Sequence, residues 1–141
     1  MSTGLRWLGF VVGGVMLSAG VHAAEPAWTP NDWTKEETVK LCTNVPGEGE
    51  YCFPVWLVVI NGDVYVRLGS KATERMRKNT GGFVLPIELA GHRFEHVRAT
   101  ETPDYVDRVN QAMADKYTGD IIIHHFSHPL TMRLRPESAA P

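Results

Sequence analysis

Val55-Trp56-Leu57-Val58-Val59-Ile60-Asn61-Gly62-Asp63-Val64-Tyr65-Val66-Arg67-Leu68 decides the fold class of this 141-residue chain. Two runs of β-branched and aromatic residues flank Asn-Gly. A type I′ turn needs φ > 0 at both central residues, and Asn-Gly supplies it, so the stretch predicts a tight β-hairpin. On its second strand Val64, Val66 and Leu68 share one face, while Tyr65 and Arg67 share the other. Arg67 is therefore expected to point away from the apolar face.

Downstream, Gly69-Ser70 breaks the strand and opens a basic helix from about Lys71 to Asn79. Free N–H groups and the positive end of the dipole make a helix start attractive to anions. Arg67, Ser70, Lys71 and Arg75 are the candidate anion-binding residues. A capped, solvated basic helix is the competing reading. Only Ala72 and Met76 give this helix an apolar side, so it is expected on the surface. Thr80-Gly81-Gly82 ends it. Phe83 to Leu89 reads as a strand with an edge or bulge at Pro86, and Ala90-Gly91 turns the chain into a strand from His92 to Ala99. Thr102 and Pro103 begin a second helix, capped by Thr102, with Val106, Val109, Met113 and Tyr117 on its buried stripe and Gly119 at its stop. Asp120 to Phe126 and Leu130 to Leu134 complete the strands. About six strands and two main helices predict a small barrel, mainly β or α+β, over residues 55–136, with a tail at 137–141.

Upstream, Glu25 to Asp32 is expected to lie extended. Thr34 and Glu37 form a capping-box pattern ahead of a short helix, Lys35 to about Leu41. Residues 24–54 are read as an N-terminal extension holding that helix and a disulfide loop. Cys42 and Cys52 are the only cysteines, and Pro46, Gly47 and Gly49 between them let the chain turn back. A bridge closing so short a loop stabilises by roughly 2–3 kcal/mol in the chain-entropy picture. Their spacing is far from C-x-x-C, which disfavours a redox pair, and two thiols alone make a poor zinc site.

Residues 1–23 read as a secretory signal: Arg6, an apolar run from Leu8 to Leu17, and Val21-His22-Ala23 before the cut, with cleavage after Ala24 as the alternative. The run is short for a bilayer span and interrupted by glycines, so no stable membrane span is expected after processing. A periplasmic or secreted location follows, and an oxidising compartment favours the Cys42–Cys52 bridge. Losing Arg6 takes the formal charge from −2 to about −3. A mildly acidic chain is a poor nucleic-acid binder.

The order of elements resembles the split β-barrel flavin-binding proteins, the pyridoxamine-phosphate-oxidase-like superfamily. It is most similar to their deazaflavin-dependent nitroreductase-like branch and a related family of unassigned function. The residues that carry the resemblance are Val64-Tyr65-Val66-Arg67, the helix ending in Asn79, the strand pair around Gly91, and Ala114-Asp115-Lys116-Tyr117. It spans roughly Val55 to Arg135. It implies a six-stranded split barrel, FMN or a deazaflavin as cofactor, and a phosphate held by Arg67, Ser70, Lys71 and Arg75. It also implies a homodimer, a small-molecule ligand and possible oxidoreductase activity, with no role assigned to Lys116 or Tyr117. Met76 where related sequences often show an aromatic residue, the export signal and the cysteine pair depart from the group. A non-catalytic periplasmic binding or interaction module with an empty or degenerate pocket is therefore the alternative.

His124, His125 and His128 form the remaining cluster. On a strand His124 and His125 face opposite sides, so no metal site is expected. His125 and His128, converging at a bend, are the weak metal- or haem-binding alternative. No nucleophile elbow, dinucleotide fingerprint, phosphate loop or zinc-protease motif occurs. Trp28, Trp33 and Trp56 are read as packing residues.

Overall fold

The computed structural model describes residues 25–118 and 128–137, with Gly9, Gly13 and Gly14. Most of the expected signal segment, the Asp120–Phe126 strand with His124 and His125, Gly119 and the last four residues lie outside the described residues. The elements are β1 (Thr38–Val45), β2 (Gly49–Ile60), β3 (Asp63–Leu68), α1 (Ser70–Lys78), β4 (Val84–Leu89), β5 (His92–Glu101), α2 (Val106–Lys116) and β6 (Leu130–Pro136). The six strands close into an antiparallel barrel in the order β1-β2-β3-β6-β5-β4. The expected fold class, a small six-stranded barrel with two main helices, is the one observed.

The hairpin turns form as the dipeptides dictate: Asn61 and Gly62 have φ of 51° and 76°, and Ala90 and Gly91 have φ of 52° and 77°. The β4–β5 register shifts between Leu85 and Ile87, which is the irregularity Pro86 demands. Val64, Val66 and Leu68 project into the barrel with Leu41, Leu57, Ile87, Phe94 and Met132. Tyr65 lies on the outside of β3, packed with Val58 against Val109, Met113 and Tyr117 around α2. The barrel thus has an aliphatic interior and a second, aromatic layer on one wall.

The N-terminal expectations need correction. No helix forms over Lys35–Leu41. A 3₁₀ turn, Pro30–Trp33, takes the end of the segment expected to lie extended, and Thr38–Val45 is strand β1, so the N-terminal extension supplies barrel wall. Backbone pairing with β2 over eight residue pairs, from Thr38↔Trp56 to Val45↔Gly49, overrides the local capping-box signal. Cys42 and Cys52 are bridged, and they sit directly opposite each other in that ladder instead of flanking a loop. Trp28, Trp33 and Phe94 meet edge to face, with centroids 4.9–5.7 Å apart, and cover the interior from the N-terminal side.

Both helices also differ in detail from expectation. Met76 and Thr73 of α1 are buried, Met76 completely, so this helix carries the chain from β3 to its non-neighbour β4 by sealing the barrel interior. Asn79 fixes its end: its Oδ1 accepts from Asn44 N at 2.7 Å and its Nδ2 donates to Gly82 O at 2.7 Å. A Cβ on Gly81 would come within 2.7 Å of Val84 O, so only glycine fits that turn. Before α2, Pro103–Tyr105 forms a 3₁₀ turn, and the Thr102 hydroxyl donates to Thr131 O at 3.3 Å instead of capping the helix. Val106 is exposed, because the stripe begins one turn later at Val109.

Candidate functional site

A continuous groove runs between β2 and α1. Its largest part, roughly 610 Å³, lies between Tyr51 and Phe53 on one side and Lys71, Arg75 and Lys78 on the other, with the carboxylates of Glu48 and Glu74 also in its lining. A second part, roughly 460 Å³, shares Phe53 and Lys71 and continues along Val55, Gly69 and Ser70 to His128. A narrower opening, roughly 120 Å³, shares Val55, Gly69 and His128 and reaches Trp56, Arg67 and Met113. Strand alternation explains the layout. Tyr51, Phe53 and Val55 lie on the same side of β2, whereas Trp56 and Arg67 belong to the wall under α2.

The four residues singled out from sequence are therefore strung along the groove and do not surround one point. Ser70 and Lys71 share the middle section, Lys71 and Arg75 the large one, and Arg67 lines only the narrow end. Arg67 faces away from the interior, as the alternation requires, but it is buried, and its Nη1 donates to Asn110 Oδ1 of α2 at 3.1 Å. Arg75 is held by its own neighbours. Its Nη1 is 3.4 Å from Glu48 Oε2, its Nε donates to Thr43 Oγ1 at 3.4 Å, and its guanidinium lies 4.5 Å from the Tyr51 ring centroid. Lys78 pairs with Glu74 at 2.8 Å, which holds the Lys78 ammonium above and the Glu74 carboxyl below their usual ranges.

Ser70 and Lys71 differ from these. Both are exposed at the start of α1, and among the described residues neither side chain has a hydrogen bond or ion pair. The first intrahelical bond is Thr73 N to Gly69 O at 2.9 Å, so the N–H groups of the opening turn have no helical acceptor. No side chain caps this end and no acidic residue sits in its first turn. A hydroxyl, an ammonium and unspent amides around one helix start form a set of donors that an anion can satisfy. Tyr51 and Phe53, stacked with centroids 6.2 Å apart, offer an aromatic wall in the same groove. Tyr51 is more than half exposed, with Phe53 stacked on one side and the Arg75 guanidinium near its ring.

That wall is not evident from sequence, because Pro46, Gly47 and Gly49 make the stretch between the cysteines read as a loop that contains Tyr51. An alternating strand pattern across Thr38–Val45 was the available signal. Sequence also left Lys116 and Tyr117 without a role. Lys116 Nζ donates to Glu36 O and to Leu57 O (3.1 Å), and the Tyr117 hydroxyl lies 2.6 Å from both Glu37 O and Leu57 O. Burial lowers the Lys116 pKa and pushes that of Tyr117 up to about 12. Trp56 stacks on Tyr117 at 4.3 Å, nearly parallel. These groups tie α2 to β2 and to the segment preceding β1.

His128 is half-buried at the junction of the two smaller openings, while His125 lies outside the described residues. Among the described residues Cys42, Glu50 and Cys52 form the one cluster with metal-ligand spacing, and both its sulfurs are spent in the disulfide. No described helix is long and apolar enough to cross a membrane. No protein-family model matches the chain, and no curated protein or solved structure matches it.

Proposed function

We propose that this chain is an exported split-barrel protein that binds a phosphorylated, flavin-like cofactor, FMN or a deazaflavin, in the groove between β2 and α1. The observation that carries this reading is the unpaired start of α1, where Ser70, Lys71 and the first-turn amides adjoin the Tyr51–Phe53 wall. The barrel order and the placement of both helices are compatible with the resemblance read from sequence. Ser70 and Lys71 would hold the phosphate, and Tyr51 and Phe53 would pack against a planar ring. When bound, such a cofactor supplies two-electron chemistry, and the chain supplies orientation and charge. Pairing of two chains and a periplasmic or secreted location belong to the same proposal, the latter supported by the disulfide.

A second reading, a non-catalytic binding module, rests on a specific observation. Arg67 and Arg75 are already engaged by Asn110, Glu48, Thr43 and Tyr51, which leaves fewer cations for a phosphate than the resemblance implies. One experiment separates the two. The protein is purified from its exported location and its absorbance and bound mass are recorded, followed by thermal shift with FMN and with a deazaflavin. The cofactor reading expects a yellow protein or a stabilising shift that Lys71→Glu abolishes. A colourless protein that neither ligand stabilises supports the second reading.

A further inference from the structure

The Cys42–Cys52 bridge lies on the outer surface of the barrel, and its two sulfurs are not equivalent. Cys42 is 1% exposed, whereas Cys52 is only partly buried. Arg93, from β5, places Nη1 3.9 Å from Cys42 Sγ, and Glu50 Oε1 lies 3.6 Å from Cys52 Sγ. The guanidinium is fixed there by three carboxylates: Glu50 and Glu95, each at 2.9 Å, and Glu88 at 3.7 Å. The guanidinium N–H beside Cys42 supports negative charge on that sulfur even though the three carboxylates offset the guanidinium's own charge, and the carboxylate beside Cys52 opposes it there. The more accessible sulfur is thus the poorer thiolate, and the covered one is the better leaving group.

We propose that this bridge is a thiol–disulfide exchange site for an external dithiol, with attack at Cys52 and departure of Cys42. A thiolate of the dithiol forms a bond to Cys52 Sγ, the Cys42–Cys52 bond breaks, and its electron pair leaves on Cys42 beside Arg93. The second thiol of the dithiol, as thiolate, then attacks the partner's sulfur in the mixed disulfide and expels Cys52. The two protons given up by the dithiol pass to Cys42 and Cys52. The dithiol is oxidised by two electrons, and the bridge is reduced to two thiols. Running backwards, the same steps oxidise the pair. Leu41↔Phe53 and Thr43↔Tyr51 remain paired on either side of the bridge, so the strand ladder keeps the two thiols adjacent after reduction. Reclosure is then intramolecular, and the exchange is reversible without unfolding.

The test treats the folded, oxidised protein with dithiothreitol without denaturant, following thiol release by alkylation and mass, and the fold by circular dichroism. Glutathione, a monothiol, is used in parallel to trap the mixed disulfide. The expected results are complete reduction with the fold retained and a glutathione adduct on Cys52. Because leaving-group acidity sets part of the exchange rate, Arg93→Gln should slow reduction about tenfold and Arg93→Lys should restore much of it. Reduction only after denaturant is added, an adduct on Cys42, or unchanged rates in Arg93→Gln would each overturn the proposal. The adduct is mapped on the native sequence, so the test survives a variant that fails to fold. None of these readouts depends on whether the groove binds a cofactor.

Discussion

The two helices follow strands of the same barrel and are of similar length, yet the fold uses them in opposite ways. α2 lies on the wall, buries Val109 and Met113, and commits two polar side chains inward: Asn110 to Arg67, and Lys116 to main-chain carbonyls of β2 and of the segment preceding β1, where Tyr117, just past its end, also bonds. α1 buries one methionine and one threonine, and spends Asn79 on its exit. Neither helix start has a side-chain cap, but α2 carries Asp107 in its first turn, whereas that of α1 holds no acid and presents an exposed hydroxyl and an exposed ammonium. A helix whose polar groups are satisfied by the chain serves the fold, and one whose positive end is left open has capacity for a ligand.

Substitutions can break or sharpen that contrast. The largest effect should come from Met113→Ala, which empties a fully buried position between α2 and the wall and should cost about 2–5 kcal/mol in denaturant unfolding. Tyr117→Phe should come next. It removes one donor from the carbonyls of Glu37 and Leu57, which keep Leu57 N and Lys116 Nζ, at about 1.5 kcal/mol.

The same residue fixes a pH dependence. The folded state raises the Tyr117 pKa from 10.0 to about 12, so it favours the protonated phenol. That contribution is complete below pH 10, where the unfolded phenol is also protonated, and is lost as pH rises through 12. Wild-type stability should therefore fall across that window by an increment absent in Tyr117→Phe. Lys116, whose pKa is lowered, has the opposite sign: its contribution improves as pH rises toward the unfolded value of 10.5, ahead of most of the tyrosine loss.

Asn110→Ala should cost about 1.5 kcal/mol, since it removes a charge-assisted bond to a buried guanidinium. The smallest effect on stability, within about 0.5 kcal/mol, should come from Ser70→Ala and Lys71→Gln in α1. If those changes destabilise as much as Asn110→Ala, the open helix start is structural and the contrast fails.

What was legible in sequence was local. Asn61-Gly62 and Ala90-Gly91 specify their turns within two residues, Pro86 marks its bulge, and Tyr65/Arg67 fall on the wall side by alternation alone. What was not legible depends on partners far along the chain. Thr34 and Glu37 are a sound helix start, but Thr38–Val45 is held by β2, and the competing pairing is stronger than the cap. Arg67 meets Asn110, 43 residues on, and Tyr117 reaches back 60 residues to Leu57 and 80 to Glu37. Nothing in the spacing of Arg67, Ser70, Lys71 and Arg75 reveals that two of the four are taken by such contacts. The disposition of the groove follows from β2 being long enough to bring Tyr51 and Phe53 beside α1, and that length was hidden in the cysteine loop.

The central claim, that the open start of α1 is a phosphate site, is tested most directly by titrating FMN with the purified protein and following flavin fluorescence. Wild-type protein and Lys71→Glu are compared, with Asn110→Ala as a variant altered outside the groove's phosphate end. The account predicts saturable binding of one FMN per chain to wild type and to Asn110→Ala, lost in Lys71→Glu. Equal binding by wild type and Lys71→Glu, or binding by neither, would contradict it.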